Sequence, residues 1–210
     1  MLLYDYCRST AAYRVRIALN LKGLDYKSQS INLLQGDESN EDYLQHNPQG
    51  LVPSLQLENG QVLHQSLAIC EYLEEAYPAP ALLPADSAAR AQVRAFSQVI
   101  ACDIHPLNNL RVLKYLKANL GVTEEAKLIW YQHWVQEGFG ALETLIQRQA
   151  ESTFCFGERP TLADICLVAQ MFNARRFDCD VSPYPRLVGI TERCEQLDAF
   201  SRAHPDSPVY

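Results

Sequence analysis

The spacing of apolar residues divides the chain into two parts with different periods. Up to about residue 76, short apolar runs of strand type alternate with segments of helical spacing, whereas after residue 87 only helical spacing continues. The first run, residues 2–6, predicts a strand, and apolar positions at Val15, Ala18 and Leu19 predict the helix that follows. Gly23 stands where a glycine commonly ends a helix.

Five further elements are predicted before residue 76. They are a strand over residues 26–33, a short helix near residues 41–44, strands over residues 54–57 and 62–63, and a helix over residues 67–74. Asn59-Gly60 predicts a type I′ hairpin turn between the last two strands, and Ser66 predicts the N-cap of the last helix. The order β-α-β-α-β-β-α is that of a thioredoxin-like α/β domain.

Three prolines, Pro78, Pro80 and Pro84, interrupt the pattern between residues 77 and 86 and predict a linker. We therefore expect an N-terminal domain over residues 1–80 and a C-terminal domain over residues 86–210.

The second domain has the pattern of an all-α helical bundle. Helices are predicted over residues 87–104, from Leu107 after a kink or restart at Pro106, from Thr123, from Thr161, and over residues 185–203. Thr161 and Asp164 form a helix start that is close to a capping box. The helix that begins at Thr123 has a predicted core stripe with spacings of four, three and four: Val135, Phe139, Leu142 and Ile146.

Composition and charge narrow the function classes. A net charge of -7 in 210 residues argues against broad binding to nucleic-acid phosphates. No apolar run is long enough to span a bilayer, and residues 1–5 lack the regions of a signal peptide, so no membrane association and a cytoplasmic location are expected. The seven cysteines contain no Cys-x-x-Cys pair and no metal-ligand spacing occurs, which predicts buried free thiols and no metal site.

The loop between the first strand and the first helix, Arg8-Ser9-Thr10, is the clearest candidate for chemistry. Hydroxyls at a helix start accept hydrogen bonds from the unpaired amides of the first turn. The same amides and the helix dipole attract an anion, and Arg8, Arg14 and Arg16 add positive charge in an acidic chain. The loop is therefore suited to hold a thiolate or a carboxylate, and simple helix capping is the other interpretation of the same residues.

Residues 9–19, Ser-Thr-Ala-Ala-Tyr-Arg-Val-Arg-Ile-Ala-Leu, resemble the active-site signature of zeta-class glutathione transferases, a class that includes maleylacetoacetate isomerase and bacterial maleylpyruvate isomerase. Ala11 replaces the cysteine of the family pattern, and Tyr13 replaces its tryptophan. Residues 51–53, 64–69 and 161–164 match further family motifs, so the resemblance covers nearly the whole chain. It implies the glutathione transferase fold, with a thioredoxin-like glutathione-binding domain and an all-α substrate-binding domain.

The resemblance also implies a glutathione site. The residues expected to contact glutathione are Ser9, Thr10, Val52, Pro53, Gln65, Ser66, His105, Asn109 and Arg111. A hydroxyl of Ser9, ahead of Thr10, would donate to the sulfur and favour the nucleophilic thiolate. The bond before Pro53 would be cis, and the helix start at Ser66 would hold the γ-glutamyl carboxylate. Without the resemblance, an ordinary trans proline, a plain cap and a structural His105 are the alternatives.

A small dicarboxylate is the implied substrate. In maleylpyruvate isomerase, arginines at the positions of Arg8 and Arg176 belong to the substrate pocket, and a guanidinium binds a carboxylate through paired donors. That enzyme has a further arginine where this chain has Leu110, which weakens a maleylpyruvate assignment and leaves Arg111 as a candidate replacement. Surface ion pairing is the alternative role for these arginines.

The preferred hypothesis is glutathione-dependent cis–trans isomerisation of maleylacetoacetate to fumarylacetoacetate. Addition of the thiolate to the activated double bond would allow rotation, and elimination would regenerate glutathione, while Arg8 and Arg176 stabilise the enolate. The class is usually homodimeric, which implies a homodimer. The alternatives are a maleylpyruvate isomerase or broader glutathione transferase, a non-catalytic binding module, and a thiol–disulfide oxidoreductase acting through Cys7.

Overall fold

Four short strands form one mixed sheet in the computed structural model, which describes residues 1–207. They are β1 (Leu2–Asp5), β2 (Lys27–Ser30), β3 (Ser54–Gln56) and β4 (Val62–His64), in the spatial order β2-β1-β3-β4. β1 runs parallel to β2 and antiparallel to β3, and β3 pairs antiparallel with β4. Leu3 of β1 lies opposite Ser28 on one side and Leu55 on the other.

Helices cover this sheet in the order that the sequence predicts. They are α1 (Thr10–Leu21), α2 (Glu41–His46), preceded by a 3-10 turn at Asp37–Ser39, and α3 (Ser66–Ala76). The fully buried residues of the sheet, α1 and α3 include Leu3, Val15, Leu19, Leu55, Ile69 and Leu73. Because side chains alternate along a strand, Tyr4 points to the other face, where it packs with Ile31, Tyr43 and Val52. The thioredoxin-like prediction is confirmed.

Two local predictions in this region are wrong. The turn between β3 and β4 is not type I′, because Asn59 is not among the described residues with positive φ, whereas Gly60 has φ of 84°. The N–H of Gly60 donates to the carbonyl of Leu57, and the loop closes with the N–H of Leu57 donating to Gln61. Ser66 is the first helical residue of α3 rather than its N-cap, a position that Gln65 takes.

The second unit, Leu83–Glu195, is helical apart from its connecting loops. Its helices are α4 (Ser87–Gln98), α5 (Leu110–Leu120), α6 (Glu124–Gln147), α7 (Leu162–Arg176) and α8 (Pro185–Glu195). α7 is the central element, since eleven of its fifteen residues are buried and both α4 and α8 pack against it. The predicted stripe of α6 is buried, and the side chain of Asp164 accepts the N–H of Thr161 at 2.7 Å, as the predicted capping box requires.

The helix predicted over residues 87–104 is an α-helix only as far as Gln98. α4 continues into a π-helical segment, Val99–Ile104, and the chain then leaves the helix ahead of Pro106. Proline lacks the N–H that a continuing helix needs, so the restart occurs at α5, with Asn109 as its N-cap.

The single helix predicted over residues 185–203 is also wrong. The backbone of Leu197 is extended, with φ of −82° and ψ of 134°, and separates α8 from the short helix α9 (Asp198–Ser201). The described chain from Gln196 onward belongs to the first unit, together with Met1–Leu82. There α9 packs on α1, and the side chain of Asn20 donates to the carbonyl of Ala199 at 3.0 Å. Within residues 1–207, no helix combines the length and the apolar character needed to cross a bilayer.

Candidate active site

Ser9 stands at the junction of β1 and α1, where it caps the helix. Its Oγ accepts the N–H of Ala12 at 3.2 Å, and its own N–H donates to the carbonyl of Tyr6 at 2.8 Å. Because the capping bond uses Oγ as an acceptor, the hydroxyl proton remains available for a second group. Ser9 is half-buried, whereas Thr10 is only 3% exposed. This geometry makes Ser9 the more accessible hydroxyl of the two.

The buried side chain of Arg16 holds the loop before Ser9 in place. The guanidinium of Arg16 donates to Asp5 Oδ1 at 2.8 Å, to the carbonyl of Cys7 at 2.9 Å and to the carbonyl of Ala203 at 3.0 Å. Burial raises the pKa of Asp5, and the nearby Arg16 charge offsets part of that effect. Arg8 is different, since it is exposed and forms no ion pair with any residue from 1 to 207. It is therefore free to meet an anionic molecule.

The segment before β3 presents backbone groups. The Val52–Pro53 peptide bond is cis, as the resemblance implies, and both residues are buried. The carbonyl of Leu51 is held by the hydroxyl of Tyr43 at 2.6 Å and by the side-chain amide of Asn47 at 2.7 Å. Val52 itself differs, because neither its N–H nor its C=O is hydrogen-bonded to a described residue. These two groups can pair with the backbone of a peptide ligand.

The start of α3 combines an unusual backbone with a buried charge. Gln65 has φ of 67°, is exposed and donates from Nε2 to Oε1 of Gln49 at 2.9 Å. Ser66 is buried, and its Oγ accepts a hydrogen bond from Nη1 of Arg14 at 3.0 Å. Arg14 is only 2% exposed, and its contact with Ser66 was not predicted from the sequence. The signal for it is an arginine between apolar positions of α1, where a solvated side chain cannot be placed.

The remaining predicted residues lie in the second unit. His105 is half-buried after the π-helical segment, and the Oδ1 of Asn109 accepts the N–H of Arg111 at 3.0 Å. Arg111 and Arg176 are exposed, and neither forms an ion pair within residues 1–207. Arg176 ends α7, and its guanidinium lies over the ring of Phe177 at 5.4 Å. The contacts of both arginines therefore do not match the surface ion pairing considered above.

The cysteines and the possible metal ligands complete the survey of reactive side chains in residues 1–207. All seven cysteines are free; five are buried, Cys7 is half-buried and Cys102 is exposed. No group of three or more His, Cys, Asp or Glu side chains within residues 1–207 is arranged to bind a metal ion.

Two family models match the chain. The model described as Glutathione S-transferase, N-terminal domain matches residues 3–81, and the model described as Glutathione S-transferase, C-terminal domain matches residues 129–203. The first match contains the Ser9 loop, the Val52–Pro53 segment and the start of α3.

Individual proteins are similar over nearly their full length. A maleylacetoacetate isomerase from Rhizobium meliloti (strain 1021) is 50% identical over 204 residues, which cover 97% of this chain and 95% of that protein. A solved holo structure of a maleyl pyruvate isomerase, described as a bacterial zeta-class glutathione S-transferase, is 45% identical with a TM-score of 0.96 and covers 99% of this chain and 100% of its own. A maleylacetoacetate isomerase from Methylobacterium extorquens AM1, solved with bound malonate and glutathione, is 42% identical with a TM-score of 0.95 and covers 98% and 96%.

Proposed function

Because the chain belongs to the zeta class of the glutathione S-transferase family, we propose that it catalyses the glutathione-dependent cis–trans isomerisation of maleylacetoacetate to fumarylacetoacetate. The observation that carries the chemistry is the geometry of Ser9, whose Oγ caps α1 as an acceptor and keeps its proton for another group. The near-full-length identity to a maleylacetoacetate isomerase supports the choice of substrate.

Bound glutathione supplies a thiolate that adds reversibly to the activated double bond and gives an enolate. The former double bond can then rotate, and elimination from the enolate restores the double bond and releases the thiolate. The role of Ser9 is to donate a hydrogen bond to the sulfur, which favours the charged form and lowers its pKa. The N-terminus of α1 acts in the same direction, because its dipole favours negative charge. Thr10, nearly covered by protein, is the second hydroxyl in this role.

The first unit fits glutathione at two further places. The N–H and C=O of Val52 are suited to pair with the cysteinyl backbone, next to Pro53. The N-terminus of α3, with Gln65 and Ser66, is suited to the γ-glutamyl carboxylate, since free helical amides and a hydroxyl are donors that an anion needs. From the second unit, His105, Asn109 and Arg111 are proposed as additional polar contacts to glutathione.

Arg8 and Arg176 are the proposed carboxylate-binding residues for the substrate. Both are exposed guanidinium groups without an ion-pair partner among the described residues, and a guanidinium offers two parallel donors to a carboxylate. The malonate in the Methylobacterium extorquens relative supports a dicarboxylate as the substrate class. These arginines would also stabilise the negative charge that develops on the substrate oxygen.

The second candidate is maleylpyruvate, which would react by the same steps. It is favoured by the similarity to the maleyl pyruvate isomerase structure and disfavoured by Leu110.

A homodimer is proposed from membership of the class, and a cytoplasmic location from five buried free thiols, which a reducing compartment preserves. A glutathione-binding domain over residues 1–80 and a substrate-binding domain that begins at residue 86 complete the proposal, although the described residues from Gln196 onward group with the first unit and not with the second.

The test is a glutathione-dependent isomerisation assay with both substrates on wild type, Ser9→Gly and Cys7→Ser. Glycine at an N-cap costs only a few tenths of a kcal/mol, so Ser9→Gly removes the hydroxyl with little effect on α1. Turnover of maleylacetoacetate should fall by about two orders of magnitude in Ser9→Gly, the scale for losing one preorganised donor. Cys7→Ser is the neighbouring control and should retain activity.

Three results would change the proposal. Faster turnover of maleylpyruvate than of maleylacetoacetate would make maleylpyruvate the preferred substrate in the proposal. Binding of glutathione without turnover of either substrate would leave a broader transferase or a binding module. Loss of activity in Cys7→Ser would instead favour thiol–disulfide exchange.

A further inference from the structure

We propose that Arg14 is a positioning residue that acts through Ser66 and sets the affinity for the γ-glutamyl carboxylate of glutathione. The proposal rests on the function proposed above, which places this carboxylate at the N-terminus of α3. It adds a residue that lies inside the first unit, on a helix that is not expected to contact that end of glutathione.

Arg14 reaches α3 from the interior of the unit. Its Nη1 donates to Ser66 Oγ at 3.0 Å, although the two residues are 52 positions apart in the chain. Because Oγ is the acceptor in this bond, the hydroxyl proton of Ser66 is left to donate to another oxygen. Arg14 therefore fixes both the rotamer of Ser66 and the direction in which its O–H points.

The charge of Arg14 is balanced differently from that of the other buried cations. Within residues 1–207, buried lysines and arginines occur at Arg14, Arg16 and Lys22. Arg16 is paired with Asp5 and Lys22 with Glu74, and each also donates to backbone carbonyls. Arg14 has no carboxylate partner, and its Nε and Nη2 are buried without a hydrogen bond. The fold thus retains one buried positive charge that protein groups do not neutralise.

The position of that charge indicates its use. The N-terminus of α3 already carries the positive end of a helix dipole, and a guanidinium beside it adds to the same positive potential. This arrangement is unfavourable for the protein alone and favourable for an anion that accepts from Ser66 and the first amides of α3. A carboxylate is the matching ligand chemistry, because it accepts several donors at once and carries the opposite charge.

The experiment compares two ligands by isothermal titration calorimetry on the full-length chain. One is glutathione, and the other is 4-aminobutanoyl-Cys-Gly, which differs only by lacking the γ-glutamyl carboxylate. The variants are Arg14→Met, Arg14→Lys, Ser66→Ala and the double variant Arg14→Met with Ser66→Ala. In Arg14→Met, glutathione should bind roughly ten- to hundredfold more weakly, the range for losing a charge-assisted hydrogen bond, while binding of the analogue stays within about twofold.

The other variants separate positioning from simple structure. Arg14→Lys should recover part of the preference for glutathione, because it retains the charge. In the double variant, the loss of glutathione binding free energy should be smaller than the sum of the losses in the two single variants, since both residues act on one carboxylate. The ligand-free melting temperature of Arg14→Met should stay at or above that of wild type, because a buried charge without a partner is removed.

An unchanged ratio of glutathione to analogue affinity in Arg14→Met would overturn the inference, whatever the melting temperature of the variant. If Arg14→Met does not fold, the same ratio in Arg14→Gln decides. Failure of the proposed function is distinguishable, because wild type would then bind neither ligand or would not isomerise either substrate. Wild type that binds glutathione and isomerises, with an unaltered ratio in the variants, refutes only the role of Arg14.

Discussion

Replacement of Arg16 with methionine should destabilise the first unit strongly. Arg16 is fully buried, and its guanidinium joins β1, the loop before Ser9 and the C-terminal segment through Asp5, Cys7 and Ala203. Methionine has a similar length, so the main loss is electrostatic, and Asp5 remains as a buried carboxylate without its partner. Breaking a buried pair in this way costs about 3–5 kcal/mol of unfolding free energy. For a chain of this size, that corresponds to a melting temperature lower by about 10 °C.

The deficit should also depend on pH. Burial already raises the pKa of Asp5, and loss of the Arg16 charge removes the nearest factor that lowers it. Folded Arg16→Met therefore binds a proton at pH values where the unfolded chain, with an ordinary carboxyl pKa of about 4, has released it. Its stability is greatest below that pKa and falls as the pH rises through the raised pKa. The difference from wild type should be smaller near pH 4 than at neutral pH.

Urea denaturation followed by circular dichroism, at fixed protein concentration from pH 4 to 8, measures this effect. Asp5→Asn combined with Arg16→Met is the matched control, because it removes both charges. It should recover much of the lost stability, and the pH dependence caused by Asp5 should disappear. A cost below about 1 kcal/mol for Arg16→Met at pH 7 would refute the reasoning, since exposed pairs have that value. A double variant less stable than Arg16→Met would refute it equally.

Two glycines of α6 and one tyrosine give further predictions. An added Cβ at Gly138 would lie 2.2 Å from Cδ1 of buried Ile104, so Gly138→Ala should lower the unfolding free energy by about 1–2 kcal/mol in urea denaturation. An added Cβ at Gly140 would meet nothing within 4 Å, so Gly140→Ala should raise the unfolding free energy by up to about 1 kcal/mol. Equal effects of the two would show that packing does not distinguish them. Tyr43→Phe should cost about 1 kcal/mol by the same measurement, because it removes the bond to the carbonyl of Leu51 and the contact with Oγ of Ser54, and no change would mean that these bonds are not stabilising.

Sequence patterns predict those features whose causes are local. Thr123 caps α6 and accepts the N–H of Ala126, and the stripe from Val135 to Ile146 is buried, because both follow from helical spacing within one segment. The Ser9 cap is local in the same sense. Patterns of this kind gave the order of strands and helices and the loop proposed for catalysis.

Features that depend on distant contacts were not predictable in this way. Ser66 has the sequence signature of an N-cap, but its Oγ is occupied by Arg14, and Gln65 takes the cap position with a positive φ. The break at Leu197 leaves no signal in helical periodicity, because its cause is the packing of α9 on α1. The arginines of α1 could be noticed as charges among apolar positions, but their partners could not be assigned.

The return of the C-terminal segment to the first unit has a consequence for biosynthesis. A ribosome must add residues 83–195 between the two parts of this unit. During that time Arg16 lacks the carbonyl of Ala203, and Asn20 lacks that of Ala199. The sheet and α1 therefore leave the exit tunnel before the second unit, but α1 acquires these contacts only after the helices of the second unit have been translated. For this unit, the order of synthesis and the order of completion are opposite.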